Sequence, residues 1–113
     1  MATGQDLVGG WSFNGNGSSG AMTIFNAVDN GEVNLRVGFS DVNREDRWTG
    51  RWRPEAREIV LTRELPDGVT QTYTGHLGDN HPPHLIFGGS FTQSEAGATE
   101  FGWFAEWMSI LIV

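Results

Sequence analysis

The stretch Trp48-Thr49-Gly50-Arg51-Trp52 constrains this chain more than any other. Side chains alternate along a β-strand, so both indoles fall on one face, with Gly50 between them, and Arg47, Thr49, Arg51 and Arg53 fall on the other. Burying two such rings stabilises a fold by on the order of a few kcal/mol each. The strand is therefore expected to anchor a core or wall. Its arginines must face water, carboxylates or an anionic partner.

The same two-residue period recurs along the chain. Val8 to Asn14 reads as a first strand, followed by a glycine-rich loop, Gly15 to Gly20, and a second strand, Ala21 to Phe25. Asp29-Asn30-Gly31 is a hairpin signal. Beyond it Val33, Leu35, Val37 and Phe39 share a face. After the polar link Ser40 to Glu45 and the Trp48 strand, Pro54-Glu55-Ala56 turns the chain into Arg57 to Glu64, where Ile59 and Leu61 alternate with Glu58, Val60 and Thr62. Leu65-Pro66-Asp67-Gly68 is a turn in which proline presets its backbone angle and glycine tolerates a positive one. Val69, Gln71, Tyr73 and Gly75 then alternate with Thr70, Thr72, Thr74 and His76. Gly78 to Pro83 reads as a loop, Leu85 to Thr92 as a strand, Gln93 to Thr99 as a loop, and Phe101 to Met108 as the last strand.

Sixteen glycines with five tryptophans and seven phenylalanines suit such an all-β chain, and no stretch carries long helical periodicity. The prediction is a single domain over residues 1–113: an eight-stranded antiparallel up-and-down barrel, with a β-sandwich as the alternative. Residues 1–7 are expected to be a flexible lead-in and 108–113 an apolar tail.

The last strand is apolar on both sides. Phe101, Trp103, Ala105 and Trp107 share one face, and Phe104 and Met108 take the other. Such a strand is buried on both faces, which in a thin barrel requires a second copy or the tail. A homodimer or homotetramer is expected, with Trp103, Phe104, Trp107, Met108, Ile110, Leu111 and Ile112 at its interface.

Charge narrows the partners. The net charge is −7 and every basic residue is an arginine, so a phosphate backbone is a poor partner and no nucleic acid is expected. There is no cysteine, hence neither disulfide nor thiolate metal site. The start, Met1 to Asp6, has no basic and apolar leader pattern, so the chain is expected to stay in the cytoplasm or to have lost a leader. The apolar tail is too short to span a bilayer.

Three clusters are candidate sites. Asn14, Asn16, Ser18 and Ser19 form a polar, glycine-flanked loop that could hydrogen-bond a sugar or cyclic urea, or serve as turn chemistry. Arg44, Arg47, Arg51, Arg53 and Arg57 interleave with Trp48 and Trp52, but Glu45, Asp46, Glu55 and Glu58 lie among them, which favours a self-neutralised face over an anion site. His76, His81 and His84 with Asp79 match no standard ligand spacing, and no metal or other cofactor is expected. No nucleophile, phosphate loop or dinucleotide motif points to catalysis, so the chain is read as a non-enzyme.

Gly10-Trp11 with Asn14 and Ser18, Trp48-Thr49-Gly50-Arg51-Trp52, and Thr72-Tyr73-Thr74-Gly75, taken in order, resemble the avidin family of biotin-binding barrels. The resemblance implies an avidin-like barrel and ligand-binding positions at Asn14, Ser18, Phe39, Asp41, Gln71 and Tyr73. The chain departs from that family where Leu61 or Arg63 and Gly89 stand in place of wall tryptophans, Tyr73 replaces a third, and Val69 falls where a ligand hydroxyl is expected. The expected function is a non-catalytic binding module for a small polar ligand, a sugar, other glycan or biotin-like molecule. A structural or self-assembling protein with a filled barrel is the alternative.

Overall fold

The computed structural model describes residues 2–39, 46–81, 84–94 and 99–109, and for residues 79–81 and 109 it describes the backbone. One turn of helix, α1 (Gly4–Leu7), precedes eight strands: β1 (Gly9–Gly15), β2 (Ser18–Ala27), β3 (Gly31–Phe39), β4 (Arg47–Arg53), β5 (Glu58–Glu64), β6 (Thr70–His81), β7 (His84–Gln93) and β8 (Glu100–Ser109). Each strand pairs with the next in sequence order, and β8 closes on β1. Every pairing is antiparallel. This is the up-and-down barrel, and the sandwich is set aside. No helix is long and apolar enough to cross a membrane among the described residues.

Local chemistry explains the elements. β5 alternates strictly, burying Ile59, Leu61 and Arg63. β4 buries Trp48 and Trp52 and exposes Arg47, Thr49, Arg51 and Arg53. The β1–β2 turn places Asn16 at φ 50° and Gly17 at φ 90°, the two positive angles that a tight hairpin needs. The Leu65–Gly68 turn closes through the Gly68 N–H to the Leu65 carbonyl at 3.1 Å, with Gly68 at φ 88°.

Three segments differ from expectation. Of Gly15 to Gly20, read as loop, only Asn16 and Gly17 turn; Gly15 ends β1, and Ser18 to Gly20 pair with it at the start of β2. Gly78 to His81, read as loop, continues β6, and His84 begins β7, with a bulge between Leu77 and Asp79. Glycine, asparagine and histidine there look like turn chemistry, yet cross-strand pairing carries the ladder out to His81 and His84. The lead-in, expected to be flexible, forms α1. Its Asp6 carboxylate accepts the Thr3 N–H at 2.9 Å, and the Asp29 carboxylate accepts the Gly4 N–H at 2.6 Å. Ala2 and Leu7 are fully buried, and the Trp11 indole donates to the Leu7 carbonyl at 2.9 Å. Since Gly4 packs against Ala27, at the far end of β2 from the hairpin turn, α1 stops that end of the barrel.

Aromatic rings fill the interior. Phe13 meets Trp103 at 5.5 Å, Tyr73 at 5.7 Å and Trp48 at 5.9 Å, while Phe87 contacts Trp11 at 5.2 Å and Trp52 at 5.7 Å. Trp103, assigned to an outer interface from sequence, lies inside at 3% exposure. Its indole donates to the Thr74 carbonyl at 3.1 Å, and its ring occupies the space a Cβ on Gly75 would need. Trp107 also turns inward, partly buried, and donates to the Val8 carbonyl at 3.2 Å. Outward on β8 are Gly102, Phe104, Glu106 and Met108, of which Phe104 and Met108 are large and apolar, 54% and 60% exposed.

Candidate functional site: the polar mouth of the barrel

At the end of the barrel opposite α1, the inward face changes character. The inward row of β5 runs Ile59, Leu61, Arg63, that of β6 reaches Gln71 before Tyr73, and that of β7 runs Phe91, Gln93. Apolar below and polar at the rim, these rows surround a cavity of about 260 Å³. Its lining includes Gly15, Ser18, Phe39, Arg63, Gln71, Tyr73, Phe91, Gln93 and Phe101. The room is that of a single ring or a small side chain, because tryptophan and phenylalanine pack solidly beneath it.

Arg63 organises the floor. The residue is 7% exposed, and its guanidinium pairs with Asp46, whose Oδ2 accepts from Nε at 2.6 Å and from Nη2 as well. Nη1 donates to Gln71 Oε1 at 3.0 Å. The Tyr73 hydroxyl donates to that same oxygen at 2.7 Å, and Gln71 Nε2 donates to Gln93 Oε1 at 2.7 Å. Phe39 and Trp48 hold the guanidinium, their ring centres 4.9 and 5.5 Å from its carbon. Phe91 stacks on Tyr73 at 4.4 Å and meets Phe101 at 5.2 Å, giving an apolar wall.

Burial pushes the Tyr73 hydroxyl above its ordinary pKa of 10.0; the hydrogen bond and positive charge of Arg63 oppose that rise without cancelling it. Tyr73 is the only tyrosine in the chain. An ultraviolet titration of phenolate absorbance in the folded protein should therefore show one midpoint above pH 10. An unfolded chain ionises first, so the stability linked to Tyr73 is intact below pH 10 and falls as pH rises through the raised native value.

Of the residues expected at a site, Asn16, Ser18, Phe39, Gln71 and Tyr73 meet at this mouth. Asn14 does not line it. Its Oδ1 accepts the Gly17 N–H at 2.9 Å and its Nδ2 reaches Ser19 Oγ at 3.5 Å, so it braces the hairpin turn. Asp41 lies outside the described residues. Asp46, Phe91, Gln93 and Phe101 are not among the residues expected at the site, and Arg63 enters only, with Leu61 as the alternative, as standing where a wall tryptophan belongs. Period-two phase held a signal for Arg63 and Gln93, since each continues an inward row.

The other clusters carry less. His76 and Arg53 both reach Glu58, each at 3.4 Å on the outer wall, so part of the arginine face is matched by its own acids. His84 is exposed, the side chains of Asp79 and His81 lie outside the described residues, and no metal-binding group occurs among those described. A larger groove of about 620 Å³ follows the outer seam where β3 and β4 part, but its polar lining is solvent-facing, not a buried network. Comparison with family models, with curated proteins and with solved structures found no match to this chain.

Proposed function

We propose that the protein is a non-catalytic binding module that holds a small polar ligand, a sugar or a biotin-like ring, in the mouth of an avidin-like barrel. One observation carries the reading: the buried Arg63–Gln71–Tyr73–Gln93 network under an aromatic-walled cavity. Ordering four long polar side chains at a strand end costs conformational entropy, and apolar residues would fill the space more simply. Fixed polar groups beside aromatic rings are the usual makings of a small-molecule site. Phe39, Phe91 and Phe101 offer faces for a ring, and Ser18 and the network offer directional contacts. A glycan array with a biotin titration tests the reading. Binding is expected, and Gln71→Ala should weaken it by roughly tenfold or more, the worth of about one good hydrogen bond. Silence from both ligand classes would remove the sugar and biotin reading.

The filled interior favours a second reading, a structural or self-assembling barrel. Phe104 and Met108, with Ile86 at 40% exposure, put large apolar side chains on the outer wall across β7 and β8. A homodimer or homotetramer burying this wall would need about 800 Å² from each partner for a standard interface. Light scattering at micromolar concentration should give a multiple of the 12.4 kDa chain mass, and Phe104→Ser should lower it. The monomer mass for the intact chain would end this reading. Ile110, Leu111 and Ile112, also assigned to the interface, lie outside the described residues.

A further inference from the structure

The hydrogen-bond inventory at the mouth points to the charge of what binds there. A guanidinium has five N–H donors. In Arg63, Nε and Nη2 engage Asp46, and Nη1 engages Gln71. The carboxylate sits behind the guanidinium, at the β3–β4 seam, and does not line the cavity that Arg63 lines. The charge of Arg63 is thus balanced from the side away from the ligand space. Gln71 Oε1 already accepts two donors, and the Tyr73 proton is spent on one of those bonds. What remains is mostly donors: one N–H on each of Arg63 Nη1 and Nη2, the second N–H of Gln71 Nε2, and, on other residues that line the cavity, the Gln93 amide, whose Nε2 makes no hydrogen bond among the described residues, the Asn16 amide and the Ser18 hydroxyl.

We propose that the mouth accepts an uncharged ligand that presents hydrogen-bond acceptors, and that Asp46 sets this selectivity by occupying the Arg63 guanidinium from within. The proposal rests on reading the mouth as a binding pocket. A carboxylate or other anion entering the cavity loses its hydration, meets a guanidinium whose charge is already matched, and faces the Asp46 charge behind it. A carbonyl, ring nitrogen or hydroxyl oxygen pays much less to lose water and finds the free amide donors of Gln71 and Gln93. Asp46 and Arg63 are specificity residues in this account.

Acetamide and acetate, near-isosteric and differing in charge, are the probes. In nitrogen-15 NMR spectra of the wild-type chain, acetamide should shift the side-chain amide signals of Gln71 and Gln93 saturably. Sodium acetate should move them and the Arg63 Nε–H no more than sodium chloride of equal ionic strength. In Asp46→Asn, acetate should acquire saturable binding at the Arg63 Nε–H, at least tenfold tighter than any it shows to wild type. Acetate saturating the wild-type mouth would overturn the exclusion of anions. Acetamide leaving both amides unmoved would overturn the acceptor assignment, and a folded Asp46→Asn chain with no gain for acetate would overturn the role of Asp46. Should that variant not fold, the wild-type pair of probes still decides the selectivity. A chain that binds neither sugars nor biotin but takes acetamide and refuses acetate loses the ligand identity and keeps the selectivity.

Discussion

Asp46→Ala is expected to lower the free energy of unfolding by about 3–5 kcal/mol, the range for removing one partner of a buried ion pair. The Asp46 side chain is 4% exposed and that of Arg63 8%, so the pair is held out of bulk water. The stranded guanidinium would still hold Gln71 through Nη1, but its Nε–H and Nη2–H would face an emptied space. Attraction within the pair is not the source of the loss; an uncompensated buried cation is. Adding Arg63→Met to Asp46→Ala should therefore recover most of the stability, because the unpaired charge is gone and an apolar side chain can lie between Phe39 and Trp48. Urea denaturation of both variants checks this. A double variant as unstable as the single one would mean that the pair stabilises the fold in its own right.

Trp103→Ala is expected to cost a similar amount, about 3–5 kcal/mol. Trp103 contacts Phe13 at 5.5 Å, Tyr73 at 5.8 Å and Phe87 at 6.5 Å, so it joins the mouth to the deeper core. It also roofs Gly75, whose missing Cβ leaves the space for the ring. Truncation empties that space and frees the Thr74 carbonyl at once. Trp103→Phe keeps part of the ring and loses the 3.1 Å hydrogen bond, so it should cost less than half as much. A domain of this size has about 5–15 kcal/mol of stability in total, so the alanine variant should melt far below the parent in calorimetry. A change under about 1 kcal/mol would show that the neighbouring rings collapse into the gap.

Alternation made the barrel legible from the sequence. Val33, Val37, Trp48, Trp52, Ile59, Leu61 and Tyr73 all fall on the buried phase that their spacing predicts. The glycine and proline turns were legible for the same kind of reason, since Gly17, Asn30 and Gly68 take the positive backbone angles such turns require. What misled the reading was composition overruled by pairing. Gly78-Asp79-Asn80-His81 has the residues of a loop, but the register against β7 holds it in the ladder. On β8 the doubly apolar pattern could not say which face points inward. The pairing with β1 and β7 decides it, putting Trp103 inside and Phe104 outside.

The candidate site was half legible. Gln71 and Tyr73 lie on one phase of one strand, so any reading of β6 keeps them together. Arg63 was hidden because it shares a sequence neighbourhood with surface arginines, and only its phase with Ile59 and Leu61 separates it from them. Its partner Asp46 sits 17 residues away, a distance at which no local pattern speaks. Asn14 lies off the cavity because β1 gives its inward phase to Trp11 and Phe13.

The most direct test of the mouth as the binding site is an NMR titration of the folded chain with neutral monosaccharides and biotin. The account predicts that a ligand that binds shifts the Arg63 Nε–H and the Gln71 and Gln93 side-chain amides together, with one saturation curve. Shifts gathered instead on the outer wall around Phe104 and Met108, or no shift from any of these ligands, would contradict it.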